Sequence, residues 1–386
     1  MSNLGPEGGY GGYGGYGGYG GYGGYGGYGG YGGYGGYGGY GAGGDGYGTP
    51  FTSAALITNN DGIAGPWVPP AVLPPELAPN SADHIELWSG QVRGRLYDFE
   101  MFSKLGLSAS GPRARLWHVN TTGSNPPQAT FRRLMEMKRP GMNVFEEQLP
   151  YLNQYADLRP DRTTEIAAQL NLPTAFFGSI AFLNDERTKW TYDLVLCALR
   201  LANFAEMRFK HALACRRPVE LSPQVQPIIP TPMHGTLPSG HATEAFTVAT
   251  TLMRLLEAAG SPVYRQPEWA QQLMRQAARI AINRTVAGVH FPADSAAGAC
   301  LGMTLGDYLV RRARHANSYG AWKFDGTRFR EDFDWRDQFD LASGSRTEAS
   351  SSAGKYAVDR GAQAMSHGSG NDVLAALWDR AVAEWS

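Results

Sequence analysis

The sequence predicts an all-α fold, a bundle of long helices behind a low-complexity arm. Three observations carry that prediction. Apolar residues recur at helical spacing over roughly 82–105, 126–138, 142–157, 161–170, 187–213, 240–259, 267–288 and 292–315. Turn signals such as Arg139-Pro140-Gly141 and Gly260-Ser261-Pro262 fall between these stretches. Strand signals are scarce: Ala114-Arg115-Leu116-Trp117-His118-Val119 is the one tempting stretch, and it stands alone.

From Gly8 to Tyr40 the chain is an unbroken Gly-Gly-Tyr repeat that runs into a Gly-rich spacer ending near Pro50. Glycine this dense loses too much backbone entropy on folding to sit in a core. Residues 1–50 therefore read as a disordered arm whose regularly spaced tyrosines could support self-association. Residues 51–80 read as an extended lead-in, with Pro66, Pro69, Pro70, Pro74, Pro75 and Pro79 blocking a continuous helix. The folded domain is expected over 81–341. A Ser/Gly/Ala-rich linker follows at 342–370, and then a short amphipathic helix at 371–386. Its apolar face, Val373, Leu374, Leu377, Trp378, Val382 and Trp385, is expected to dock back on the domain.

With 386 residues, 42% of them hydrophobic, the chain can bury a substantial core. Lys and Arg number 34 against 35 Asp and Glu, for a formal charge of -1. That balance gives no reason to expect nucleic acid or anionic lipid as a partner, so any anion site must be local. Cys197, Cys215 and Cys300 are far apart and odd in number, and read as reduced core residues. Met1 to Pro6 lacks the basic and apolar regions of a secretory signal. The most apolar stretches are interrupted by Asp193, Arg200 and Glu206, and by Asp294 and Asp307. The expectation is a soluble, cytoplasmic protein with no membrane span.

Three blocks carry chemistry. Lys210 is followed by Arg217-Pro218; seven residues is about two helical turns, so both cations are expected near one face of a helix end that Pro218 stops. Pro238-Ser239-Gly240-His241 opens a helix. There unpaired N–H groups and the positive dipole end suit an anion, Gly240 allows close approach, and His241 can move a proton. Arg284 offers a planar fork, and His290 and Asp294 lie four apart. If the helix near Pro292 extends back a turn, the carboxylate can accept a hydrogen bond from Nδ1–H and leave Nε2 free and basic, as a nucleophile or metal ligand requires. Singly, each block has a bland reading as a solvated face, a capped turn or a surface pair; all three in order do not.

Together they resemble the three-part signature shared by type 2 phosphatidic acid phosphatases, bacterial acid phosphatases and vanadium-dependent haloperoxidases, over roughly Lys189 to Tyr308. The resemblance implies a helical bundle of the acid phosphatase/vanadium haloperoxidase type, with one cradle serving two chemistries. In a phosphatase of this kind the match to His290 forms a phosphohistidine, the match to His241 protonates the leaving group, and the match to Asp294 orients the nucleophile. Lys210, Arg217, Ser239, Gly240 and Arg284 match the residues that hold the oxygens. In a haloperoxidase the same cradle holds vanadate, with His290 on the vanadium. His234 is similar to an extra histidine found in both branches. Asn283 departs from the family's usual serine, with modest consequences expected.

The leading expectation is a soluble phosphatase of phosphate monoesters that needs no cofactor. The alternative is a vanadate-loaded haloperoxidase using halide and peroxide, with Phe209, Trp190 or Phe291 as candidate halide-pocket aromatics. A scaffold assembling through the Gly-Tyr arm is a third reading.

Overall fold

The computed structural model describes residues 50–123, 125–367 and 372–386. The Gly-Gly-Tyr arm lies outside the described residues, as does the end of the 342–370 segment. The chain divides into two units, one up to Arg95 and one from Leu96 to Ser386.

In the first unit, helix α1 spans Pro50–Ile63, so the lead-in is not extended throughout. After Pro50, which suits a first helical position, no proline interrupts the chain until Pro66. A short 3-10 turn over Ala82–Leu87 is capped by the Ser81 side chain. Helix α2 spans Gly90–Phe102, so the division after Arg95 falls within it.

The second unit is not all-α. Strands β1 (Leu105–Ser110), β2 (Arg113–Thr122) and β3 (Gln128–Lys138) form an antiparallel meander. β4 (Ser318–Asp325) then joins β3 in parallel, with Met135 opposite Trp322. A two-stranded ribbon, β5 (Phe339–Asp340) with β6 (Ser345–Arg346), stands apart. β7 (Ala349–Ser351) and β8 (Gly354–Ala364) complete a six-stranded mixed sheet in the order β1-β2-β3-β4-β8-β7. The segment read as a linker at 342–370 thus contains three strands.

Two physical reasons hid the sheet. In β2 the buried face is Ala114, Leu116, His118 and Asn120, so the period of two is present but half its inward positions are polar. In β3 the residues Leu134-Met135-Glu136-Met137-Lys138 are strong helix formers. Pairing with strands on both sides overrides that preference.

The helices of this unit are α3 (Met142–Ala156), α4 (Arg159–Ala168), α5 (Thr174–Ala181), α6 (Lys189–Leu213), the short α7 (Pro218–Leu221), α8 (Gly240–Ala259), α9 (Pro267–Val286), α10 (Pro292–Ala313) and α11 (Val373–Ala383). The core sits around α8 and α10, buried along nearly their whole lengths. They approach through a stripe of glycines one turn apart. A Cβ at Gly302 would lie 2.5 Å from the Thr243 carbonyl, one at Gly298 2.8 Å from the Ser239 carbonyl, and one at Gly306 2.7 Å from the Thr250 Cβ. Backbone contact of this kind leaves no room for a side chain. The sheet meets α10 through Tyr308, whose hydroxyl lies 2.7 Å from His118 Nδ1. α11 packs on α6: Glu384 accepts from the Trp190 and Thr191 amides at 2.9 and 2.8 Å, and the Trp385 indole donates to the Thr191 hydroxyl.

Candidate active site

The close α8–α10 packing aligns the starts of both helices, and the Ser239 amide donates to the Asp294 carbonyl at 2.9 Å. The ends of α6 and α9 complete the enclosure, and the structure brings Lys210, Arg217, Ser239, Gly240, His241, Arg284, His290 and Asp294 into one buried region, with His234 at its edge.

Lys210 and Arg217 do not share a helix end. α6 stops at Leu213, and Ala214 closes it in the left-handed region with φ 48°. Arg217 follows in extended backbone, as expected for a residue before proline, and caps α7. Both side chains are nonetheless 2% exposed and turned inward. The Lys210 ammonium donates to the carbonyls of Thr236 and Pro238. Burial lowers its pKa to about 8, with Glu206 opposing that shift and Arg217 adding to it. Arg217 donates to the His234 and Val289 carbonyls at 3.0 and 2.8 Å, and to His234 Nδ1 at 3.1 Å.

His290 precedes α10 instead of lying on it. Asp294, at the third position of α10, accepts the Phe291 amide at 2.8 Å. It is this capping geometry, and not a helix extended back by a turn, that brings its carboxylate within 3.1 Å of His290 Nδ1. Thr236 secures the pair, with its hydroxyl 2.5 Å from the same Asp294 oxygen and 3.1 Å from His290 Nδ1. On the other side of the ring, Nε2 lies 3.1 Å from Arg217 Nη1. A guanidinium can only donate, so Nε2 is the acceptor and Nδ1 carries the proton. Burial, followed by the charges of Arg217 and Lys210, holds His290 well below the usual histidine range. Burial also raises Asp294 to about 6, against the lowering effects of Thr236, the Phe291 amide and the cations.

His241 is positioned from outside the three blocks. Its Nε2 donates to the Gln169 carbonyl at 2.8 Å, while the Gln169 side-chain oxygen accepts from Arg284 Nη2 at 2.8 Å and Asn283 Nδ2 at 3.0 Å. Gln169, at the end of α4, therefore fixes both the histidine and the arginine. Asn283 ties α9 to α4, donating also to Glu165 and accepting from Arg162. Burial, then Arg284, keeps His241 well below its ordinary pKa, and burial with Lys210 and Arg217 lowers His234 to about 3.

Gln169, Thr236 and Glu206 were not legible as site residues. Gln169 and Thr236 have no distinctive spacing. Glu206 had a signal: it is a charge four residues before Lys210 on an otherwise apolar helix face. Among the aromatics, Phe209 is fully buried beside Lys210 in the chain and Phe291 packs on Phe145 with ring centroids 4.7 Å apart. Trp190 lies in the first turn of α6, with the Lys189 and Arg380 cations over its ring. It is separated from Lys210 by about 30 Å of helix at the standard rise per residue. Cys215 lines an outer groove of about 560 Å³ with Arg217, Met233, His234 and Gly235. Burial pushes its thiol up to about 12, unsuited to a nucleophile.

Residues 192–317 match the family model of the PAP2 superfamily. The matched stretch is similar to the PAP2 superfamily and includes Lys210, Arg217, Ser239, Gly240, His241, Arg284, His290 and Asp294. No curated protein matches the chain. Among solved structures, a match is the first transmembrane PAP2 type phosphatidylglycerolphosphate phosphatase from Bacillus subtilis. It is 18% identical, with a TM-score of 0.27, and the match covers 43% of this chain and 76% of that one. Among the described residues of the present chain, no helix is long and apolar enough to cross a membrane.

Proposed function

We propose that this chain is a soluble hydrolase of phosphate monoesters that works through a phosphohistidine at His290. One observation carries the reading: His290 presents Nε2 toward Arg217 while Nδ1 is held by Asp294. A nucleophilic imidazole needs this orientation, and it occurs in the same buried region as Lys210 and Arg284. Three buried cations repel one another and lower the neighbouring histidines, and a tetrahedral oxyanion would offset that repulsion.

In the first step, Arg217 Nη1 turns from Nε2 to a phosphate oxygen. The exposed Nε2 lone pair attacks phosphorus, the ester P–O bond breaks, and the leaving oxygen takes a proton from His241. Because His241 Nε2 is occupied by the Gln169 carbonyl, Nδ1 is the atom that gives this proton. His241 acquires that proton once the bound dianion offsets Arg284 and the other cations. In the second step, water attacks phosphorus, its proton passes to His241 Nδ1, and the P–N bond electrons return to His290. Asp294 stabilises the transient positive charge on the imidazole throughout.

The reaction needs no metal. Vanadate, which takes the trigonal bipyramidal shape of the transition state, would be held by the same Lys210, Arg217, Arg284 and His290 set and should inhibit. The test is an aryl phosphate assay with and without orthovanadate, beside bromide oxidation by hydrogen peroxide after vanadate loading. Vanadate-inhibited hydrolysis without bromide oxidation supports the reading. Vanadate-dependent bromination with negligible hydrolysis replaces it with a haloperoxidase.

A further inference from the structure

Glu206 sits on the inward face of α6, four residues before Lys210, and is fully buried. Neither carboxyl oxygen has a hydrogen-bond partner among the described residues. Leaving a buried polar group unpaired is expensive, and such groups call for an explanation. The carboxyl lies against the first residue of α8: a Cβ on Gly240 would be 2.5 Å from Glu206 Oε1 and 3.0 Å from Oε2. A side chain at position 240 would have to displace the Glu206 carboxyl, which sits at the helix end whose N–H groups suit an anion. The charged groups acting on Glu206 are Lys210 on its own helix, Glu244 on α8 and Arg217 on the connection to α7. Lys210 directs its ammonium to the Thr236 and Pro238 carbonyls, so it does not satisfy the carboxyl by a hydrogen bond.

We propose that Glu206 is a hydrogen-bond donor to the bound oxyanion: as a neutral carboxylic acid it directs its O–H to an oxygen of a tetrahedral anion held at the N-terminus of α8, beside Lys210. The inference rests on the oxyanion-cradle reading above and deepens it. Burial favours the neutral acid, with Glu244 reinforcing it and Lys210 and Arg217 opposing it. A neutral acid donates to an unprotonated oxygen, such as those of a dianionic phosphate monoester. An ionised Glu206 would repel the same oxygen, so anion binding weakens as this group loses its proton.

The test uses full-length protein and sulfate, a tetrahedral dianion whose own charge does not change between pH 5 and pH 9. Affinity is measured by calorimetry for wild type, Glu206→Gln and Glu206→Leu. Lys210 and Asp294 also titrate in this range, and Glu206 acts on Lys210, so the decisive comparison is made at pH 5, well below the Lys210 value of about 8. The glutamine amide donates at every pH. At pH 5, Glu206→Gln is therefore expected to bind sulfate about as tightly as wild type, and Glu206→Leu ~10-fold more weakly. Glu206→Gln that binds sulfate ~10-fold more tightly than wild type at pH 5, or Glu206→Leu that binds it as tightly as wild type there, overturns the inference. Wild-type protein that binds neither sulfate nor phosphate overturns both this inference and the cradle itself. Sulfate binding with the expected affinities but no aryl phosphate turnover leaves Glu206 as assigned and overturns the hydrolase reading alone.

Discussion

The cradle and the sheet are built by opposite means. Around the cradle, helices touch backbone to backbone through Gly298, Gly302 and Gly306, and the space between their ends is filled with buried charge. Lys210, Arg217, Arg284, Glu206 and Asp294 are nearly inaccessible, and the cations push His241 and His290 further below their ordinary range. The sheet buries Leu116, Leu134, Met135 and Met137 and an aromatic cluster of Phe324, Phe329 and Tyr356. Its buried histidine, His118, is fully paired between Tyr308 and Asn120. One region concentrates buried charge, and the other supplies apolar burial. Substitutions in the two regions should therefore fail differently.

The largest effect is expected at His290. His290→Ala removes the attacking atom and should lower aryl phosphate turnover by about 10⁴-fold or more while the melting temperature stays at or above wild type. Asp294→Asn removes the acceptor that fixes the Nδ1–H tautomer and should lower kcat by roughly 10²- to 10⁴-fold. Gly302→Ala, where the two regions' shared scaffold is tightest, should destabilise by about 3 kcal/mol in urea unfolding and reduce activity only through lost fold. Met135→Ala, in the sheet, should also cost about 3 kcal/mol yet leave kcat per folded molecule unchanged. An equal loss of kcat in the Met135 and Asp294 variants would erase the contrast between the regions.

The smallest effect is on pH. Asp294 must be ionised to accept the imidazole proton, so kcat should fall as pH drops through about 6. Lys210 must be protonated to hold an oxyanion, so kcat/KM should fall as pH rises through about 8. The outcome is a bell-shaped profile, and in Asp294→Asn its acid limb should disappear.

The same contrast explains what the sequence made legible. Lys210, Arg217-Pro218, Ser239-Gly240-His241, Arg284, His290 and Asp294 are local blocks beside long amphipathic helices, and short-range spacing exposes them. How they meet was less accessible: Arg217 and His290 lie off the helices assigned to them, placed by a pre-proline bend and by the capping role of Asp294. The sheet depends on distant pairing, such as Met135 with Trp322, and on inward residues like His118 and Asn120 that carry no apolar pattern. Gln169 and Thr236 act through tertiary hydrogen bonds alone, and no spacing announces those.

The most direct test of the central assignment is an acid-free quench of wild-type and His290→Ala protein during turnover of an aryl phosphate, followed by intact-mass and peptide mapping. The account predicts one phosphoryl group on the wild-type peptide containing His290, labile in acid, and none on the variant. A phosphoryl group on another residue, or one retained by His290→Ala, would contradict it.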